Sequence, residues 1–267
     1  MRLTMLGTGM AVVRRCYNTC FVISEDDDHL LVDGGGGSGL LGQLERAGLA
    51  WQDMRHIFVT HTHIDHILGI IWLMRLFAYT AIKKDPGIRV HISGCREVIA
   101  ALRTLADTLL MPLEAAQIGK AIQLVTVADG QSAQVGPFDM QFFDIRSTKT
   151  PQFGFVLQHS GLRLVCCGDE PASESAFQHI TGCDWLLHEA FCLYAEKDVF
   201  KPHEKHHSTA REACELAQSL SVKNLVLYHA EDSHGSQRKE LYLAEGRQFF
   251  SGGLYVPDDL DSIQLTP

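Results

Sequence analysis

The segment His61-Thr62-His63-Ile64-Asp65-His66 constrains this sequence more than any other feature, because it places four metal-binding side chains within six residues. It follows residues 56–60, which have the apolar pattern of a strand, and it enters residues 64–77, which have the pattern of a buried helix. Alternate residues of an extended segment face the same side, so we expect His61, His63 and Asp65 to point together, with His66 turning in from the helix. Packing alone does not explain such a cluster, whereas a metal centre does.

The ligand chemistry limits which metal this segment would hold. Imidazole nitrogens and carboxylate oxygens suit zinc at bond lengths of about 2.0 to 2.2 Å, and they also suit manganese and iron. We therefore expect one or two Zn²⁺ ions, with Mn²⁺ or Fe²⁺ as the alternatives.

The composition is that of an ordinary globular protein. Its 267 residues are 46% hydrophobic and 21% charged, and we expect residues 1–267 to form one domain made of two similar halves. The formal net charge of −9 argues against a broad surface for polyanions, although a local basic patch would still allow contact with nucleic acid.

Nothing in the sequence predicts a membrane span or secretion. No uninterrupted run of about 18 apolar residues is apparent, and the first residues lack a basic segment followed by a long apolar stretch. The eight cysteines include no CxxC pair. In a chain of this length without a recognisable signal peptide, we expect reduced thiols in a cytoplasmic protein. Cys16 and Cys20 leave open a disulfide or a metal-binding pair.

Strand patterns fall into two groups, each followed by helical patterns. Strands are predicted at residues 2–6, 19–23, 30–32, 56–60 and 89–92, then within 122–145 and at 153–158, 162–167, 185–187 and 225–228. Helices are predicted over residues 40–47, 64–77, 98–110 and 208–220. The glycine run at 34–37 indicates a close backbone approach, either to a ligand or to the opposite sheet. This order predicts an α+β fold in which two sheets pack face to face with helices outside.

The metal-binding segment resembles the HxHxDH signature of the metallo-β-lactamase superfamily. That resemblance implies a four-layer αββα sandwich and further ligands at later strand ends. Asp169, in Cys167-Gly168-Asp169-Glu170, resembles the aspartate that bridges two metals, and His229 resembles the last histidine ligand. The alternatives are a turn aspartate and a partly buried histidine at a strand end.

A narrower resemblance is to the ribonuclease Z branch of that superfamily. It rests on Leu187-His188-Glu189-Ala190 and His207-Ser208-Thr209-Ala210, which look like the paired HEAT and HST motifs, and on the opening Leu6-Gly7-Thr8-Gly9 and residues 244–259. The resemblance implies that Glu189 and His207 help to protonate the leaving oxygen. A carboxylate that fixes an imidazole and raises its pKa suits this role. The alternative is that Ser208 or Thr209 only caps a helix and His207 is incidental.

Two departures from the ribonuclease Z pattern narrow the prediction. Thr148, in Thr148-Lys149-Thr150-Pro151, stands where the family has a histidine ligand, so the first metal site is expected to lose one donor. Lys149 is either an exposed lysine or a charge that partly replaces a missing ion. The second departure is that only 13 residues, 156–168, separate Phe155 from Asp169, which leaves no room for the protruding arm that grips transfer RNA in bacterial ribonuclease Z.

The sequence therefore predicts a metal-dependent hydrolase, specifically a phosphodiesterase that acts on a small phosphodiester or an RNA-type substrate. In this hypothesis Asp65 orients the attacking hydroxide and also binds the second metal with His66, Asp169 and His229, and His207 donates a proton to the leaving oxygen. One alternative is hydrolysis of a thioester, a lactone or a small cyclic phosphodiester at the same centre. Another is a non-catalytic metal-binding protein with a degenerate site. The family resemblance also implies a homodimer, because dimers are common in that family. The sequence gives no independent signal for one.

Overall fold

The structure, a computed structural model that describes residues 1–267, contains fourteen strands and eight helices. The strands are β1 (Arg2–Gly7), β2 (Cys20–Glu25), β3 (Asp28–Val32), β4 (His56–Phe58), β5 (Val90–Gly94), β6 (Ile122–Thr126), β7 (Ser132–Val135), β8 (Phe138–Asp144), β9 (Phe153–His159), β10 (Leu162–Cys166), β11 (Trp185–Glu189), β12 (Asn224–Tyr228), β13 (Gly253–Tyr255) and β14 (Ser262–Gln264). The helices are α1 (Gly39–Arg46), α2 (Ile64–Lys83), α3 (Arg96–Leu109), α4 (Pro112–Ala115), α5 (Glu174–Ile180), α6 (Lys197–Phe200), α7 (Ala210–Ser219) and α8 (Arg238–Gly246).

Two seven-stranded sheets make up the centre of the protein. The first has the order β14-β1-β2-β3-β4-β5-β6 and the second has the order β13-β12-β11-β10-β9-β8-β7. Each sheet has an antiparallel part and a parallel part, with β3 to β6 parallel in the first and β10 to β13 parallel in the second. Strand β14 returns from the end of the chain to pair with β1, so the last part of the chain completes the first sheet.

The apolar side chains form two cores. A cluster of 50 buried residues includes side chains from both sheets and from α1 to α3, and a second cluster of 22 includes side chains from the second sheet, α5, α7 and α8. Strands such as β2 and β12 are buried almost throughout, which explains their nearly continuous apolar sequences. The α+β fold and the αββα arrangement are thus confirmed.

Helix α2 has twenty residues and is apolar enough, by length and composition alone, to cross a membrane. Burial accounts for that composition, because 61% of the apolar window packs inside the protein. Its first turn also carries Asp65 and His66, both buried, which ties this helix to the ligand set described below. The helix runs six residues further than residue 77, the end that the sequence pattern predicts.

The strand ends determine where the polar side chains meet. Strands β10, β11 and β12 are parallel neighbours, so their carboxyl ends lie at one edge of the second sheet. Asp169 follows β10, Glu189 ends β11 and His229 follows β12. On the other sheet, β4 leads directly into the segment that carries His61 and His63.

Candidate metal centre

Two groups of three residues that could bind a metal lie next to each other, near the carboxyl ends of β10 and β12. One group is His61, His63 and Asp169, and the other is Asp65, His66 and His229. In each group the ligand atoms lie within 4.8 Å of one another. All of these residues are buried except His63, which is half-buried. The structure therefore brings the six residues predicted as ligands together, and they divide into two groups.

Asp169 links the two groups. Its Oδ2 lies 3.6 Å from His61 Nε2 and 3.5 Å from the Nε2 atoms of His66 and His229. Two ligands of a tetrahedral ion with bonds of about 2.1 Å lie roughly 3.4 Å apart. The spacing therefore suits ions on both sides of one shared carboxylate oxygen.

The start of α2 explains why the HxHxDH segment serves two sites. Strand β4 ends at Phe58 and the helix begins at Ile64, so only His61 and His63 lie on the extended connection. Their nitrogens are 2.9 Å apart, from His61 Nε2 to His63 Nδ1. Asp65 lies instead in the first helical turn and belongs with His66 and His229. The expectation that Asp65 points with His61 and His63 is wrong, because the helix begins before it.

Each buried imidazole is oriented by a hydrogen bond to its other nitrogen. Asp33 Oδ2 lies 2.7 Å from His66 Nδ1, Thr60 Oγ1 lies 2.9 Å from His61 Nδ1, and Thr19 Oγ1 lies 3.0 Å from His229 Nδ1. Such contacts fix the ring so that its Nε2 faces the ligand cluster. These partners could not be predicted from the sequence, because they lie far from the histidines in the chain or carry no metal-ligand pattern. The one available signal for Asp33 was its position between β3 and the glycine run.

The glycine run at 34–37 brings the loop after β3 against α2. Gly34 N donates to the carbonyl of His66 at 2.7 Å, and Gly69 N donates to the carbonyl of Gly35 at 3.0 Å. A Cβ added to Gly69 would lie 1.9 Å from Gly34 O. The close approach is to a helix and not to the opposite sheet, and it holds Asp33 beside His66.

Gln152 orients the shared carboxylate. It is fully buried, and its Nε2 donates to Asp169 Oδ1 at 2.7 Å, which leaves Oδ2 for the imidazole side. A side chain on Gly168 would collide with this amide, because an added Cβ would lie 2.1 Å from Gln152 Nε2. Gln152 could not be predicted from the sequence either, since a glutamine after a proline carries no distinctive pattern.

The ionisation of the ligands fits a bound divalent metal. Burial lowers the pKa of His229 to about 3 and the pKa of His61 well below its ordinary value, so both imidazoles are neutral and have a free lone pair. Burial also lowers the pKa of His66, but Asp33, Asp169 and Asp65 outweigh it and raise that pKa well above normal. His66 Nε2 is buried without a hydrogen-bond partner. The carboxylates around His66 thus favour a positive charge, and His66 Nε2 lacks a partner. A bound cation would satisfy both.

Thr148 and Lys149 lie on the loop between β8 and β9, outside both groups of ligands. Thr148 is exposed, and its Oγ1 lies 3.0 Å from His206 Nδ1. Lys149 Nζ lies 3.7 Å from Glu170 Oε1, so its charge faces a buried carboxylate. The first group thus has three protein donors, without one from the position where the family has a histidine.

Glu189 and His207 meet beside the second group. His207 Nδ1 lies 3.5 Å from Glu189 Oε2, and neither atom has another hydrogen-bond partner. Glu189 Oε1 accepts the backbone N–H of Ser208 at 2.5 Å. The His207 ring lies 5.3 Å from the His229 ring, centroid to centroid. Thr209 caps α7, so this motif both begins a helix and places an imidazole near the candidate metal centre.

The connection where bacterial ribonuclease Z carries its arm is a tight hairpin. Strands β9 and β10 pair from His159 opposite Leu162, with only Ser160 and Gly161 between them. Both turn residues have positive φ, 49° and 82°, as a type I′ hairpin turn requires. The strands predicted at residues 153–158 and 162–167 are confirmed to within one residue at their ends, and nothing protrudes at this point.

The two sheets and their helices have the metallo-β-lactamase fold. With the candidate ligand set and full-length ribonuclease Z relatives, this fold defines the chain as a metal-dependent hydrolase. The chain belongs to the family of the Anti-Pycsar protein Apyc1, whose model matches residues 1–250. The sequence motifs predicted the superfamily but did not distinguish this family from ribonuclease Z.

Known proteins resemble the chain along its whole length. The ribonuclease Z of Haloarcula marismortui is 26% identical over 97% of this chain and 95% of that protein. Among solved structures, the metallo-β-lactamase fold protein YhfI of Bacillus subtilis has a TM-score of 0.80 at 17% identity, covering 98% of both chains. The short form of human tRNase Z has a TM-score of 0.76 at 21% identity, covering 100% of both chains. The resemblance to ribonuclease Z is confirmed, and the hydrolase is of the phosphodiesterase type.

Proposed function

We propose that this protein hydrolyses a small phosphodiester derived from a nucleotide, and that it does not process transfer RNA. The observation that carries the proposal is the Glu189–His207 pair beside two groups of metal ligands that share Asp169. A proton donor placed next to a two-metal site suits cleavage of a phosphate ester, in which the leaving oxygen needs a proton. Attack on a thioester does not need that donor, because a thiolate leaves readily without one.

The proposed ligands are His61, His63 and Asp169 for one ion and Asp65, His66, Asp169 and His229 for the other, with Zn²⁺ as the preferred ion. When bound, divalent ions polarise the phosphate and lower the pKa of water towards about 7. The residues of the chain supply the rest of the mechanism. Asp65 orients the nucleophile, His207 donates a proton to the leaving oxygen, and Glu189 positions the His207 ring.

The size of the substrate is inferred from the entrance to the site. The two-residue β9–β10 turn has no arm to hold a folded RNA, and the net charge of −9 works against a large polyanion. Ile64, which lies between His63 and Asp65, is 69% exposed and offers an apolar surface to a single base. Lys149 is a candidate contact for a phosphate, with its charge shared with Glu170.

A substrate panel tests this proposal. The zinc-loaded protein is incubated with bis(p-nitrophenyl) phosphate, linear dinucleotides, cyclic mononucleotides, a thioester, a lactone and a precursor transfer RNA. We expect metal-dependent turnover of one or more of the small phosphodiesters and none of the thioester, the lactone or the RNA. Turnover of the thioester or lactone alone would show that the substrate class is wrong. Metal binding without hydrolysis in any assay would favour a non-catalytic protein.

A homodimer in the cytoplasm is the proposed state of the chain. Trp72, Leu109 and Met111 line one groove beside α2 and are 41%, 60% and 66% exposed. Exposed apolar side chains that share a groove are typical of an interface. Light scattering should give twice the monomer mass, and Met111→Glu should shift the mass towards the monomer. A monomer at every concentration would contradict the homodimer.

A further inference from the structure

A second cluster of ligand residues lies outside the candidate metal centre. It consists of Glu196, Glu231 and His234, whose ligand atoms lie within 4.8 Å of one another. Glu196 ends the short 3-10 turn Tyr194–Glu196, whereas Glu231 and His234 lie on the loop that follows β12. None of the three belongs to the ligand groups around Asp169. The cluster therefore joins two loops that are distant in sequence.

Glu231 has a buried carboxylate that the protein itself does not satisfy. The residue is 5% exposed, its Oε2 accepts the N–H of Ser233 at 2.6 Å, and its Oε1 is buried without any hydrogen-bond partner. Glu231 also makes no ion pair with a lysine or an arginine. An unpaired carboxylate oxygen away from water is costly, and buried charges are normally paired or bind a metal.

The other two members of the cluster, His234 and Glu196, pair with each other. His234 Nε2 lies 2.9 Å and 3.0 Å from the two carboxylate oxygens of Glu196, which are about a quarter exposed. The cluster thus contains two carboxylates, and neither of them pairs with a lysine or an arginine. A divalent cation would balance two carboxylates.

We propose that Glu196, Glu231 and His234 form a separate site for one divalent transition-metal ion, Zn²⁺ or Mn²⁺. One imidazole and two carboxylates are a donor set that both ions accept, whereas calcium and magnesium favour oxygen ligands alone. Cys192 does not belong to the cluster, although its thiol is a common metal ligand. Water would complete the coordination, since Glu196 and His234 are partly exposed.

The position of the cluster indicates a structural role. Glu196 lies on the connection between Glu189 and His207, and Glu231 comes two residues after His229. An ion held by this cluster would link two loops. One leads to His207, the proposed proton donor, and the other follows His229, a proposed ligand. Its loss should loosen both loops without removing any group from the candidate metal centre.

Metal content measured after equilibration with excess Zn²⁺ and desalting tests this proposal. We expect His234→Ala and Glu196→Gln each to hold one zinc ion fewer per chain than the unmodified protein. His203→Ala is the matched control, because it removes an exposed histidine that pairs with Glu212 at 2.9 Å but belongs to no ligand cluster. It should retain the full zinc content. Equal zinc content in all four proteins would overturn the proposal.

A second measurement separates this site from the candidate metal centre. In a His61→Ala/His66→Ala background, one equivalent of Zn²⁺ should still bind by calorimetry and raise the melting temperature. Adding His234→Ala to that background should abolish both effects, while adding His203→Ala should change neither. The same series is repeated with Mn²⁺ to determine which ion is preferred. If the background protein binds neither ion, Glu231 is satisfied by water and the site does not exist.

Discussion

At the residue scale, the candidate metal centre depends on side chains that orient the ligands as well as on the ligands themselves. Gln152 is the clearest case, because it is fully buried and donates to Asp169 Oδ1 at 2.7 Å. Gln152→Ala should therefore weaken zinc binding by about 10- to 100-fold, the usual effect of losing such a partner. Titration with a competing chelator would measure the change in affinity.

A matched control for this prediction lies on β9, the strand that follows Gln152. Gln158 is exposed on β9, and Gln158→Ala should leave zinc affinity unchanged. Equal affinities for Gln152→Ala and the unmodified protein would show that Asp169 does not need its amide partner.

Thr148 offers a test by gain of function. Thr148→His would restore the imidazole that the ribonuclease Z pattern has at this position, adding a fourth donor to His61, His63 and Asp169. We expect the weaker of two zinc-binding steps to tighten by about tenfold or more, since a neutral hydroxyl is a poor zinc ligand. Isothermal calorimetry would resolve the two steps.

The control for Thr148→His is Thr148→Ala, which removes the hydroxyl and its 3.0 Å contact with His206 without adding a donor. It should bind zinc like the unmodified protein. If the alanine and histidine variants behave alike, the loop does not bring residue 148 near the ions.

The candidate ligands could be proposed from the sequence but the side chains that orient them could not. His61, His63, Asp65 and His66 are adjacent in the chain, so their residue types alone indicate a shared function. Asp33 reaches His66 because its own backbone adopts a positive φ of 59° and because glycines let α2 approach. Such a contact depends on the packing of a loop against a helix, which no local pattern encodes. The catalytic roles assigned to Asp65, Glu189 and His207 stay predictions.

At the scale of elements, the approach of α2 to the loop after β3 positions half of the site. Gly69→Ala would place a Cβ 1.9 Å from Gly34 O, so the helix must shift and carry Asp65 and His66 with it. Overpacking of this kind costs about 1–3 kcal/mol of unfolding free energy. We expect that loss in urea denaturation, together with weaker zinc binding.

Gly42→Ala is the control for the helix contact. Gly42 lies inside α1, and an added Cβ there would meet no atom within 4 Å. The same substitution should therefore stabilise the protein by about 0.5–1 kcal/mol through helix propensity. A stabilised Gly69→Ala variant would mean that the helix does not need this contact.

The elements that the sequence did not predict are short or stabilised by distant partners. Strand β14 has only three residues, two of them exposed, and it exists because it pairs with β1 at the other end of the chain. Helix α5 has seven residues, of which only Ala176 and Ile180 are buried. By contrast, β12 and α2 have apolar patterns long enough to be predicted locally, although the predicted ends differ from the observed ones.

At the scale of the whole molecule, the candidate metal centre joins the two sheets. His61 and His63 follow a strand of the first sheet, whereas Asp169 and His229 follow strands of the second. Without a cation, the buried carboxylates Asp33, Asp65 and Asp169 lie close together around His66. Bound metal should therefore stabilise the folded protein, because the unfolded chain cannot assemble these ligands from both sheets.

Removal of metal by a chelator should lower the melting temperature. Free zinc at 100 times its dissociation constant adds about 2.7 kcal/mol per site, and about 1 kcal/mol shifts the midpoint of a chain of this size by roughly 2–4 °C. A rise of about 5–10 °C per site is thus expected in scanning calorimetry as zinc is restored, and it should increase with zinc concentration. His207→Ala is the control, because it leaves every proposed ligand in place: it should show the same rise while losing turnover. A melting temperature that does not depend on zinc would contradict a metal bound between the two sheets.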